Sequence, residues 1–69
     1  MESYILNLPE DREVAGQLLQ QAGTMLAQQK YVTRFMDKER ENTCTLYTDR
    51  PLDTASIWQL REIGIRFLA

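Results

Sequence analysis

PEDREVAGQLLQQAGTMLAQQ, running from Pro9 to Gln29, is the stretch whose reading decides the fold. Stepped at 100° per residue, Val14, Ala15, Leu18, Leu19, Ala22, Met25 and Leu26 fall on one broad arc. Glu13, Gln17, Gln20, Gln21, Thr24 and Gln28 fall opposite. This is an amphipathic α-helix, with an apolar arc wide enough to lie on a sheet or another helix. Proline is tolerated in a first turn, and Glu10 and Asp11 suit the positive end of the helix dipole. Asn7 is a candidate cap that the pattern does not decide. Gly16, Gly23 and Ala27 lie together at the flank of the arc. Each glycine costs about 1 kcal/mol relative to alanine inside a helix, so their presence predicts a closely approaching neighbour, and a second helix led by Trp58 is the expected one.

The remaining segments are shorter and read as material packed against that arc. Ser3 to Leu8 alternates as a strand, with Tyr4, Leu6 and Leu8 on one face and Ile5 and Asn7 on the other. Lys30 to Met36 and Asn42 to Thr48, rich in β-branched and aromatic residues, read as two more. Between them Asp37-Lys38-Glu39-Arg40-Glu41 is a mixed-charge hairpin tip. It lacks the Asn-Gly pair of a tight turn, so a loop of about four residues is expected. Arg34 resists burial; turning it outward puts Tyr31, Thr33 and Phe35 inward. Pairing Phe35 with Cys44 and Thr33 with Leu46 then matches apolar sets on the inner face. Val32, Arg34 and Met36 are left beside Thr43, Thr45 and Tyr47 on the other.

Asp49-Arg50-Pro51 reads as a turn. Asp53 is the expected cap of a second helix, with Leu52 and Ile57 at staple spacing. Ile57 and Leu60 face inward and Gly64 is the expected stop. Ile65 to Ala69 is then a short last strand. The spacing of Leu60, Gly64 and Phe67 also suits a helix running to about Leu68, and the strand is the favoured reading. The order β-α-β-β-α-(β) predicts an α+β fold: a small antiparallel sheet with two helices on one face, the split β-α-β or ferredoxin-like plan. Such a plan carries no function by itself.

Sixty-nine residues are expected to form one domain, 1–69, with a small core. Burial barely offsets conformational entropy at that size, which favours help from a partner. The single cysteine, Cys44, and the absence of histidine rule out an internal disulfide and the usual zinc site. They also remove the ordinary general base at neutral pH. The glycines are scattered rather than gathered into a phosphate loop, and Cys44, mid-strand among threonines, reads as a small core residue. No catalytic residue, cofactor or metal is therefore expected. A net charge of −2 and a pI near 4.9 disfavour bulk binding to nucleic acid or anionic membranes. No apolar run is long enough to span a bilayer. The Met1-Glu2-Ser3 start lacks the character of a leader, and with a lone cysteine this predicts a reducing cytoplasmic setting.

One functional clue remains. The sheet face opposite the helices collects Ile5, Asn7, Val32, Arg34, Met36, Thr43, Thr45, Tyr47, Arg66 and Leu68. Its aliphatics, single tyrosine and two arginines resemble an interface more than a solvated surface. Val32, Arg34, Met36, Thr45, Tyr47, Arg66 and Leu68 are the candidate contact residues, and a homodimer is the expected assembly. Single-stranded nucleic acid, stacked on Tyr47 and held by Arg34 and Arg66, is the alternative. A lesser candidate is the exposed side of the long helix, uncharged from Val14 to Gln29 and lined by Gln17, Gln20, Gln21 and Gln28.

Overall fold

Two tyrosines, Tyr4 and Tyr31, and Arg50 gather the chain at one end of the sheet. The computed structural model describes residues 1–37 and 42–68, and of Asp37 the backbone alone. Its elements are β1 (Glu2–Asn7), α1 (Arg12–Gln28), β2 (Thr33–Asp37), β3 (Thr43–Thr48), α2 (Thr54–Glu62) and β4 (Arg66–Phe67). The strands form one antiparallel sheet in the order β2-β3-β1-β4. The molecule is thus a small α+β protein, with four strands and two helices among the described residues. Leu6 and Leu46 of the sheet share one buried cluster with Ala22 and Leu26 of α1, Leu60 of α2, Tyr31, Leu52 and Ile65.

The long helix is where the apolar arc placed it, with a corrected start. Asp11 is the N-cap, accepting from the backbone N–H groups of Glu13 and Val14 at 2.9 and 3.3 Å. Pro9 and Glu10 lie outside the helix, and Asn7 belongs to β1. A carboxylate two residues before the second helical N–H is better placed to cap it than the amide of Asn7.

The far end of α1 corrects a second expectation. Lys30, Tyr31 and Val32 are not strand. Lys30 has φ +67°, its N–H donates to Ala27 O, and the N–H of Tyr31 donates to Leu26 O, each at 3.0 Å. This is a Schellman ending with lysine in the left-handed position normally given to glycine. Arg50 completes it: Nη1 donates to Lys30 O at 2.9 Å and Nη2 to Gln29 O at 3.0 Å. The same guanidinium lies 3.9 Å from the centroid of the Tyr31 ring. The Tyr31 hydroxyl in turn accepts from the Asp53 N–H at 3.0 Å, and the Tyr4 hydroxyl accepts from the Leu52 N–H at 2.9 Å.

The second helix follows the sequence closely. Asp53 caps it through the Ser56 N–H at 2.7 Å. At the other end Ile65 N–H donates to Leu60 O and Gly64 N–H to Arg61 O, a second Schellman ending with Gly64 at φ +112°. Arg66 and Phe67 then pair with Asn7 and Leu6, so the favoured short strand is present; Ala69 lies outside the described residues.

The hairpin has the expected faces in a different register. Phe35 pairs with Leu46 and Thr33 with Thr48, two residues from the expected partners. Apolar alternation has period two, so a slip of two residues leaves every side chain on its own face and the pattern cannot detect it. The register is pinned at the open end instead. Asp49 N–H donates to Val32 O at 3.1 Å, and the Asp49 carboxylate accepts from Val32 N–H at 3.0 Å. Of the expected charged tip, Asp37 ends β2 and residues 38–41 lie outside the described residues.

The glycine flank of α1 also meets a different neighbour. A Cβ on Gly23 would touch the Phe35 ring at 3.6 Å, and one on Gly16 would meet nothing within 4 Å. The close approach is therefore made by β2. Trp58 is 57% exposed, with Arg61 over its ring at 5.2 Å. Helix α2 meets α1 on the opposite flank, where the Gln29 side chain bonds those of Ser56 and Gln59. A Cβ on Gly64 would reach Leu18 there at 3.6 Å.

Candidate protein interface on the open sheet face

Strand pleating decides which side chains leave the core. Tyr4, Leu6, Phe35, Cys44, Leu46 and Phe67 share one parity through the registers of all three ladders, and all but Cys44 join the buried cluster or pack on it. Cys44 itself is 1% exposed. The other parity carries Ser3, Ile5, Asn7, Arg34, Met36, Thr43, Thr45, Tyr47 and Arg66.

The registers arrange this second face in rows. Arg34, Tyr47 and Ser3 are direct cross-strand neighbours, as are Met36, Thr45 and Ile5, and as are Thr43, Asn7 and Arg66. The Leu68 N–H donates to Ile5 O at 2.7 Å, which extends the middle row to Leu68. The middle row is the apolar one, and it runs from β2 across the sheet to the end of β4. Val32 stands just before β2, opposite Asp49.

Five of the seven candidate contact residues are solvent-accessible as a contact surface requires. Val32, Met36 and Leu68 are 71%, 43% and 55% exposed, and Arg34 and Arg66 are exposed. Tyr47 is half-buried between Arg34 and Ser3. Thr45 departs from the expectation, being 6% exposed. Its small side chain sits between the longer Met36 and Ile5 in the middle row, so it shapes the floor of the face and offers little to touch. Ser3, paired with Tyr47, belongs to this face in addition to the expected residues. Its small polar side chain gives no signal apart from its parity.

The electrostatics of the face oppose the charge of the chain. Among the described residues Arg34 and Arg66 are its ionised groups, at the β2 and β4 sides. Asp49 at the corner is engaged with Val32 N–H and lies 3.5 Å from Arg50. Away from this face, the Asp53 carboxyl is held below its usual range by the Ser56 backbone N–H, then by the Ser56 hydroxyl, with Arg50 adding to it. It reflects helix capping. Among the described residues no three potential ligands gather as a metal site, and no helix is long and apolar enough to cross a membrane.

Open depressions lie at the β4 edge and on the side of α1 away from the sheet. One, lined by Tyr4, Asn7, Ile57, Arg61, Arg66 and Phe67, lies beside the short β4. The other is the glutamine side of α1, lined by Gln17, Gln20, Gln21, Thr24 and Gln28. The chain matches no known protein family, no curated protein and no solved structure, so the reading of this face rests on its own geometry.

Proposed function

We propose that this chain is a small non-enzymatic interaction module of the split β-α-β (ferredoxin-like) type, and that its open sheet face binds protein, first of all a second copy of itself. The strand order β2-β3-β1-β4 supports the plan: β1 and β2 lie parallel with β3 inserted between them. The observation that carries the function is the apolar row Met36, Ile5 and Leu68 crossing a sheet face outside the buried cluster. Covering Val32, Met36, Tyr47 and Leu68 at about 25 cal/mol per Å² contributes a few kcal/mol, enough to matter for a domain this small. Arg34 and Arg66, at the two sides, set orientation more than affinity. Binding without chemistry suits a regulatory role, and a reducing cytoplasm suits its one thiol.

The test is a paired change, Val32→Glu with Tyr47→Glu, followed by sedimentation at micromolar concentration. The double variant should lose a level of assembly relative to the parent while keeping its helical circular-dichroism signal. If it sediments and melts like the parent, the face is ordinary surface and the glutamine side of α1 becomes the better site. The cross-strand pair Arg34 and Tyr47 favours one second reading, a single-stranded nucleic acid stacked on the tyrosine. A low-salt titration with a mixed-sequence oligonucleotide separates the two: salt-sensitive binding lost with Tyr47→Ala supports nucleic acid, and no binding leaves protein.

A further inference from the structure

We infer that the free edge of β2 is a second self-association surface, on which β2 of another copy pairs antiparallel about a two-fold axis at Phe35, continuing the sheet into the second molecule. The inference goes beyond the open-face reading and does not rest on it, because the edge lies in the plane of the sheet.

Backbone direction carries the argument. Asp49 N–H donates to Val32 O at 3.1 Å, so alternation turns the backbone groups of Val32, Arg34 and Met36 toward β3. The neighbouring ladder agrees. Leu8 N–H donates to Asn42 O at 2.7 Å, which turns Cys44, Leu46 and Thr48 toward β1 and leaves Thr45 and Tyr47 for Met36 and Arg34. Thr33, Phe35 and Asp37 therefore direct their N–H and C=O groups away from the sheet. Among the described residues nothing bonds the outward groups of Thr33 or Phe35. Natural edges are blunted by lysine, proline or shortness. The opposite edge is short, since β4 has two residues, whereas β2 has five and reads Thr-Arg-Phe-Met-Asp.

The edge is complementary to itself in one register. A two-fold axis at Phe35 sets Phe35 against Phe35 and Thr33 against Asp37. All three outward-directed residues are used, making about six backbone hydrogen bonds. Arg34 falls opposite Met36, whereas a shift of one position sets Arg34 against Arg34, a like-charge pair. The helix above permits the approach. Gly16 faces open space, Gly23 adjoins Phe35, and Ala27 is exposed. With no charge from Val14 to Gln29, two copies of α1 meet across the axis without desolvating an ion.

The test is a cross-link between two variants of the full chain, Thr33→Cys and Asp37→Cys, both carrying Cys44→Ala because Asp37 pairs directly with Cys44 in the β2–β3 ladder and a cysteine there would lie within disulfide reach of it. Mixed and mildly oxidised, they should give a covalent dimer. Either variant alone should not, because in this register like positions lie roughly 13 Å apart, beyond disulfide reach. The same result is expected when both chains also carry Val32→Glu and Tyr47→Glu, which separates the edge from the open face. Thr33→Pro, which removes an outward N–H and no ladder bond, should weaken association of that background at least about tenfold. No mixed-sample dimer, equal cross-linking of single variants, or a cross-link lost with the open-face changes would each overturn the proposal.

Discussion

Arg50 and Asp53, one residue before and two residues after Pro51, tie both helices to the sheet. The guanidinium of Arg50 holds the last carbonyls of α1 and covers Tyr31, placing a cation at the negative end of the helix dipole. Asp53 caps α2 while its own N–H is held by Tyr31. Its carboxyl titrates below the unfolded value of 3.8, chiefly because of the Ser56 N–H. With the folded value the lower one, this residue stabilises the fold fully above the unfolded value, and the contribution is lost as pH falls through the folded one. Urea midpoints between about pH 5 and pH 2 should therefore fall less steeply in Asp53→Asn, which keeps the cap without the titration. Equal slopes in parent and variant would remove Asp53 from the acid response.

At the scale of the element, the two helices end alike by different means. Gly64 takes the left-handed position after α2 at no steric cost, and its identity announces the stop. Lys30 takes the same position after α1, and Arg50, twenty residues on, holds it there. The glycines inside α1 divide in the same way. Gly23 lies against Phe35 and Gly16 against nothing. Gly16→Ala should accordingly raise stability by about 1 kcal/mol in a urea titration, the plain helix-propensity difference. A loss of stability there would mean that the flank is already in contact with another molecule.

For the whole molecule, size sets the terms. Among the described residues nine buried apolar side chains make the core, and so small a core holds only a thin margin over conformational entropy. Yet Val32, Met36, Leu68 and Trp58 remain largely outside it. The proposed self-association, through the open face or the β2 edge, would bind the folded chain and not the unfolded one, and so add stability by mass action. The melting temperature should rise with protein concentration from the low micromolar to the hundreds of micromolar range. A midpoint constant across that range would mark a self-sufficient monomer.

The sequence by itself determined whatever is periodic or chemically local. The apolar arc of Val14 to Leu26 predicted α1, alternation sorted the faces of β1, β2 and β3, and Asp53 and Gly64 marked the ends of α2. The parity that puts Arg34, Met36, Tyr47, Arg66 and Leu68 on one face is a local property, and so most of the candidate site was legible. What needed tertiary structure was whatever depends on partners distant in the chain. The hairpin register is invisible to a period of two and is set by Asp49 bonding Val32. The end of α1 hides in an ordinary lysine because its cap, Arg50, comes from another element. Thr45 reads as an accessible contact until Met36 and Ile5 close over it from neighbouring strands. The flank of Gly16 and Gly23 looks toward β2 and not Trp58, because rotation of a helix about its axis is fixed by what it packs against, and propensity carries no record of that.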